Sequence, residues 1–95
     1  MLKPTKVKDL FKSEKNWTQN VCARDEFGNE CYSFSEKAVS FCLLGAVRRI
    51  YGEVSPSHIR DLLTDEFGSY GALLTFNDHC NDFGKIKELV ERLDI

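Results

Sequence analysis

An apolar run, Leu73 to Phe76, meets Asn77, Asp78, His79 and Cys80 without a spacer. An amide, a carboxylate, an imidazole and a thiol side by side are the groups from which general bases, nucleophiles and metal ligands are made. Four Cys and two His are enough donors for a tetrahedral zinc site. Their spacing argues against one: no two cysteines stand at knuckle distance, and eight residues separate Cys22 from Cys31. Cys42 falls on an apolar helical stripe, where a free cysteine behaves as a small core residue. The combination left for a metal-binding domain or small enzyme is His79, Cys80, Asp78 and His58. Consecutive helical positions point about 100° apart, so His79 is poorly placed to activate Cys80, and the base would have to be His58 from another element. Asp61, Asp65 and Glu66 read as a solvated acidic face. No phosphate-cradling glycine loop, serine elbow or dinucleotide fingerprint is present. The tetrad is therefore expected to be structural, with Asn77 or Asp78 capping the last helix and His79 and Cys80 in its first turn. No catalytic residue, metal or cofactor is assigned.

The elements that would position these groups follow from pattern. Val7, Leu10 and Phe11 recur at helical spacing among lysines, so residues 5–13 read as a short amphipathic helix with Pro4 in its first turn. In "NWTQNVCARDEFGNECYSF" the segment DEFG has Asp at the first and Gly at the fourth position of a type I turn. A three-residue loop, Glu26 to Gly28, sets Arg24 across from Glu30, Ala23 from Cys31 and Cys22 from Tyr32. Cys22 and Cys31 then point to opposite faces, which excludes a disulfide across the hairpin. Ser33 and Glu36 form a capping-box pattern ahead of a wide apolar stripe running to Ile50, with Gly52 as the stop, so 38–50 is expected to be the central buried helix. Gly45 within it allows a second backbone to come close. Ser55 and Pro56 open a further helix whose inner face is Ile59, Leu62, Leu63 and Phe67. "ALLTF" fits either a strand or a buried helical turn. Phe83, Ile86, Leu89, Val90 and Leu93 make the last helix, capped by Asn81 or Asp82 and supported by a Glu88–Arg92 pair.

Composition bounds the remainder. Ninety-five residues at 42% hydrophobic content suit one domain, 1–95, of α+β class, with a hairpin on three or four helices. A chain this short hides only roughly 60–65% of its unfolded surface, which favours shallow surface recognition over an enclosed cavity. The apolar runs are too short for a membrane span or a signal peptide, pointing to the cytoplasm and reduced thiols. The net charge of −2 is uneven: residues 1–15 carry +3 and the remainder −5. The Lys-rich N-terminus could touch an acidic partner, or nucleic acid, though an acidic remainder repels phosphate. Trp17, Phe27 and Tyr70 sit beside turn formers, where aromatics anchor protein interfaces.

Trp17, "ARDEFG" at 23–28, Ala38, "FCLLGA" at 41–46 and "FND" at 76–78, in that order, resemble a small bacterial and phage domain family of no assigned activity. Its pattern is Trp, then Ala-Arg-Asp-x-x-Gly, then Ala-x-x-x-Cys-x-x-Gly-Ala, then an aromatic before Asn-Asp. Phe41 and Phe76 stand where Trp is common in that pattern, and keep an aromatic there. The resemblance implies that Trp17, Arg24, Asp25, Cys42, Gly45, Asn77 and Asp78 form a shared framework; on physical grounds Asn77 and Asp78 are expected to hydrogen-bond the hairpin backbone or pair with Arg24, tying the last helix to the sheet. The expected function is that of a cytoplasmic accessory protein, phage-encoded or bacterial, that binds another protein, inhibition of a host protein included. Its binding residues are expected among Trp17, Arg24, Asp25, Phe27, Tyr70, Asn77 and Asp78. The alternatives are the His79/Cys80/Asp78/His58 enzyme or metal domain, and nucleic-acid binding through the N-terminal helix.

Overall fold

The hairpin register follows from its turn. Gly28 adopts φ 83°, in the left-handed region that glycine occupies without strain, and the Asp25 carboxylate accepts from the backbone N–H groups of Phe27 and Asn29, each at 2.9 Å. Strands β1 (Ala23–Arg24) and β2 (Glu30–Cys31) pair with Ala23 opposite Cys31 and Arg24 opposite Glu30, as the turn dictates.

A third strand was not expected. β3 (Ser40–Phe41) pairs antiparallel with β1 on its other side, giving the order β2-β1-β3. The Ser33–Glu36 capping-box pattern therefore starts no helix, and the chain from Tyr32 to Val39 turns back towards β1 instead. Helix α2 spans only Leu43–Tyr51, with Cys42 as its N-cap and Gly52, at φ 95°, as its stop. The other helices among the described residues are α1 (Val7–Leu10), α3 (Ser57–Phe67), α4 (Tyr70–His79) and α5 (Phe83–Leu93), with a 3-10 turn at Glu14–Asn16. This computed structural model describes residues 3–95, so residues 1 and 2 of the expected 1–95 domain lie outside the described residues.

Several expectations shift in detail. α1 is shorter than 5–13, and Pro4 precedes it. α3 is capped by Pro56, one residue later than expected, and Leu62 faces solvent while Ile59 and Leu63 are buried. "ALLTF" is helical: the Ser69 hydroxyl accepts from the Ala72 N–H and starts α4 there. Asp82 caps α5, its carboxylate accepting from the Gly84 N–H at 2.9 Å. Arg92 forms no i, i+4 pair with Glu88 but a two-pronged bond to Glu66 of α3, at 3.1 and 3.0 Å, a planar match between guanidinium and carboxylate.

The core is built from the inner faces of α2, α3, α4 and α5, joined by Val7 and Phe11 from the N-terminal segment and by Ala23 and Phe41 from the sheet. Helix α2 packs on α4, α4 on α3, and α1 touches both α2 and α5. Gly45 sits where α2 meets β1: a Cβ there would stand 2.9 Å from the Cys22 carbonyl carbon and nearer still to its oxygen. Only glycine permits that approach, and the Cys42 N–H donates to the same carbonyl at 3.0 Å. The radius of gyration, 12.2 Å, equals that of one folded unit of this length. No helix among the described residues is long and apolar enough to cross a membrane.

Candidate functional site

Asn77, Asp78 and His79 form the last turn of α4, and Cys80 ends it, so they do not begin the final helix as expected. The segment after Phe76 continues a helix already under way, and its polar side chains turn towards parts of the chain far away in sequence. Asn77 is wholly buried. Its Oδ1 accepts from the Trp17 indole N–H at 2.8 Å and from the Leu43 backbone N–H at 2.9 Å. Its Nδ2 donates to the Thr18 carbonyl at 3.2 Å and to Asp78 Oδ1 at 3.0 Å. One amide thus uses both its acceptor sites and both its donors, and it supplies the cap that the first N–H of α2 lacks.

The same turn grips residues 17–20 along their length. The Gln19 amide donates to the carbonyls of Asn77 and Cys80, at 2.9 and 2.6 Å. Asp78 Oδ1 accepts from the Asn20 N–H at 2.9 Å. Trp17 also bridges in parallel to Phe41 and lies 6.0 Å from the Phe83 ring, covering the outer edge of β3. Arg24 does not meet Asp78. Its Nε donates to the Thr18 hydroxyl at 2.7 Å, and its other nitrogens donate to the carbonyls of Gly28 and Gln19. Thr18 therefore joins the two clusters, held through its carbonyl by Asn77 and through its hydroxyl by Arg24. The tie expected between the ND pair and the hairpin runs through the 17–20 segment instead.

This clip is satisfied throughout, since no buried side-chain nitrogen or oxygen among the described residues lacks a partner. A saturated, buried amide has no free donor or lone pair to offer a substrate. His58 and His79 are exposed on separate helices. Among the described residues no group of three or more His, Cys, Asp or Glu side chains is placed to hold a metal ion. All four cysteines are free thiols. Cys42 is buried at the head of α2, where its sulfur accepts from the Gly45 N–H at 3.2 Å. Burial pushes that thiol up to about 11, with the hydrogen bond from Gly45 opposing the rise, so it is protonated and inert at neutral pH.

Of the expected binding residues, Trp17, Arg24, Asn77 and Asp78 belong to the clip, Asp25 shapes the hairpin turn, and Tyr70 begins α4 packed against the core. Phe27 stands apart from these, 80% exposed at the hairpin tip. The sequence reading missed two further exposed rings, which lie beyond the other end of β2 from the hairpin tip: Tyr32 is 84% and Phe34 50% exposed. Their loop is rigidly held, because Arg49 Nη1 donates to the carbonyls of Ser33 and Ser35 at 2.8 and 2.7 Å while its guanidinium lies 5.7 Å from the Phe41 ring centre. Phe34 separates two surface grooves. One, of about 560 Å³, runs past Cys22, Cys31, Tyr32 and Arg48. The other, of about 660 Å³, lies between the N-terminal segment and residues 34–41. The signal for this surface was an aromatic pair flanking Ser33, obscured because Phe34 fell inside an apparent helix cap.

Fold and surface together define a small α+β domain with a satisfied polar interior and three exposed aromatic rings. Comparison with protein-family models, curated proteins and solved structures finds no match to the chain, so geometry alone bears on its function.

Proposed function

We propose that this is a small accessory protein, cytoplasmic and of bacterial or phage origin, that works by gripping another protein through its exposed aromatic rings, Tyr32 and Phe34 on one groove and Phe27 at the hairpin tip. The observation that carries this reading is the combination of exposure and fixation. Three large aromatic rings stand in solvent on a hairpin and loop whose backbone is pinned by Asp25 and Arg49. Leaving such rings in water forgoes burial worth roughly 1.5–3 kcal/mol each, and holding them still removes part of the ordering cost that binding otherwise meets. β2 adds an outer sheet edge with backbone groups open to a partner strand. The cytoplasmic assignment draws on the four free thiols, which suit a reducing compartment. Bacterial or phage origin draws on the Trp17, ARDEFG, FCLLGA and FND pattern.

A photo-cross-linking amino acid placed at Tyr32 or Phe34, with Glu91 of the exposed α5 surface as control, tests the reading in host-cell lysate. The expected result is a discrete protein adduct from positions 32 and 34 and none from 91. The adduct from position 32 should vanish when Phe34→Ser, on the same groove, is introduced with the cross-linker, with the melting temperature little changed. Equal labelling from all three positions, or none from 32 and 34, would refute it.

A further inference from the structure

The groove beside Phe34 has a character of its own. Its floor is apolar, built from Leu10, Phe41 and Ile50, with Phe34 and Val39 standing half in solvent at its wall. Its rim is cationic. Lys3 and Lys12 flank it, and Arg49 lies at its base, against a single carboxylate, Asp9. The groove is therefore positive on a chain whose net charge is −2. Its volume of about 660 Å³ lies within the roughly 300–1,000 Å³ span of ligand-binding clefts.

We infer that this groove takes an extended peptide segment in which acidic residues alternate with apolar ones, a reading that rests on the protein-binding role proposed above. An extended strand sends successive side chains to opposite sides with a period of two residues. Apolar side chains would face Phe34, Val39 and Phe41, and the carboxylates between them would face Lys3 and Lys12. Arg49 contributes a fixed positive potential, because its guanidinium is already committed to the Ser33 and Ser35 carbonyls. Lys3 and Lys12 are exposed, and an ammonium on a flexible four-carbon stem suits loose selection for negative charge rather than one fixed geometry. A nucleic-acid strand fits less well: three cations and one carboxylate line a mostly apolar trough, and the acidic remainder of the chain repels a polyanion.

Selection from a displayed library of random short peptides on the purified full chain tests the inference, with single-stranded oligothymidylate as a parallel probe. Enrichment of peptides carrying Asp or Glu interleaved with Phe, Leu or Ile is expected. Binding should fall at least about tenfold in the Lys3→Glu/Lys12→Glu variant, which should instead enrich basic peptides. Both lysines are exposed, so an unchanged thermal melt certifies the fold. Enrichment without acidic bias, affinity indifferent to the charge reversal, or oligothymidylate binding that displaces the peptides would overturn the inference. Cross-links from positions 32 and 34 alongside a library with no acidic preference would sink the acidic occupant alone. Absence of both would sink the protein-binding reading with it.

Discussion

Replacing Asn77 with Ala tests the clip at its centre. The substitution strands the Leu43 N–H in a dry site, because Leu43 is 0% exposed, and a buried unsatisfied donor costs about 1–3 kcal/mol. The Trp17 indole N–H and the Thr18 carbonyl lose partners in half-buried positions where water can return, at about 0.5–1 kcal/mol each. Alanine's better helix propensity returns about 0.5 kcal/mol within α4. The net loss is about 3 kcal/mol, against a total stability of roughly 5–14 kcal/mol for a chain of this length. The melting temperature should fall by about 12–24 °C. Trp17 is the only tryptophan, so urea unfolding followed by its fluorescence reads both the stability and the environment of the ring. His79→Ala, two positions along and exposed, should change stability by no more than about 0.5 kcal/mol. A loss below about 1 kcal/mol for Asn77→Ala, with the emission maximum unmoved, would refute the assignment of Asn77 as the keystone of the packing.

Other expectations follow from the same contacts. Asn77→Asp keeps the acceptor but sets a second carboxylate beside Asp78. Burial and like charge raise its folded pKa, so the variant should be nearest to wild type below about pH 4 and lose stability as pH rises, in urea midpoints measured across pH. Gly45→Ala drives a Cβ into the Cys22 carbonyl and should destabilise by more than about 2 kcal/mol or abolish folding, read by circular dichroism, whereas Gly71→Ala on the exposed side of α4 should be tolerated. With its thiol at about 11, Cys42 should resist alkylation at pH 8 until urea unfolds the chain, while the partly exposed Cys22, Cys31 and Cys80 react first; mass spectrometry of the time course distinguishes them. Asp94 is held at about 2 by hydrogen bonds from Lys8 and Lys6, at 2.6 and 2.9 Å. Its depressed pKa means that the contribution is complete above the unfolded value near 3.8 and drains as pH falls towards 2, a slope that Asp94→Asn should flatten in an acid titration.

What was legible in the sequence was what is decided locally. Asp25 and Gly28 fix a turn within four residues, and the register of β1 and β2 follows from it. Gly52 and Asp82 mark a helix end and a helix start through their own backbone or side chain. Gly45 announced a close contact, though not with which carbonyl. The failures share one cause. β3 exists because Ser40 and Phe41 meet β1, and both are buried, so the alternation that betrays a half-buried strand is missing. The apolar stripe from Ala38 onward imitated a longer helix. Asn77 and Asp78 belong to a class of residue that commonly starts helices, and here they finish one, because their side chains find partners tens of residues away. Spacing carries no information about such partners.

The span of the Asn77 clip bears on how the chain reaches its native state. The Trp17–Asn77 bond closes a loop of 60 residues, and the bond to Leu43 closes one of 34. Closing a loop of that length carries an entropic penalty that must be met before the contact rewards it. The hairpin can zip up within a few residues, and β3 and Arg24 give residues 17–19 a first seat, but the bonds of Trp17, Gln19 and Asn20 to the end of α4 wait until that helix is in place. Residues 17–20, though made before α4, should be among the last parts to dock fully.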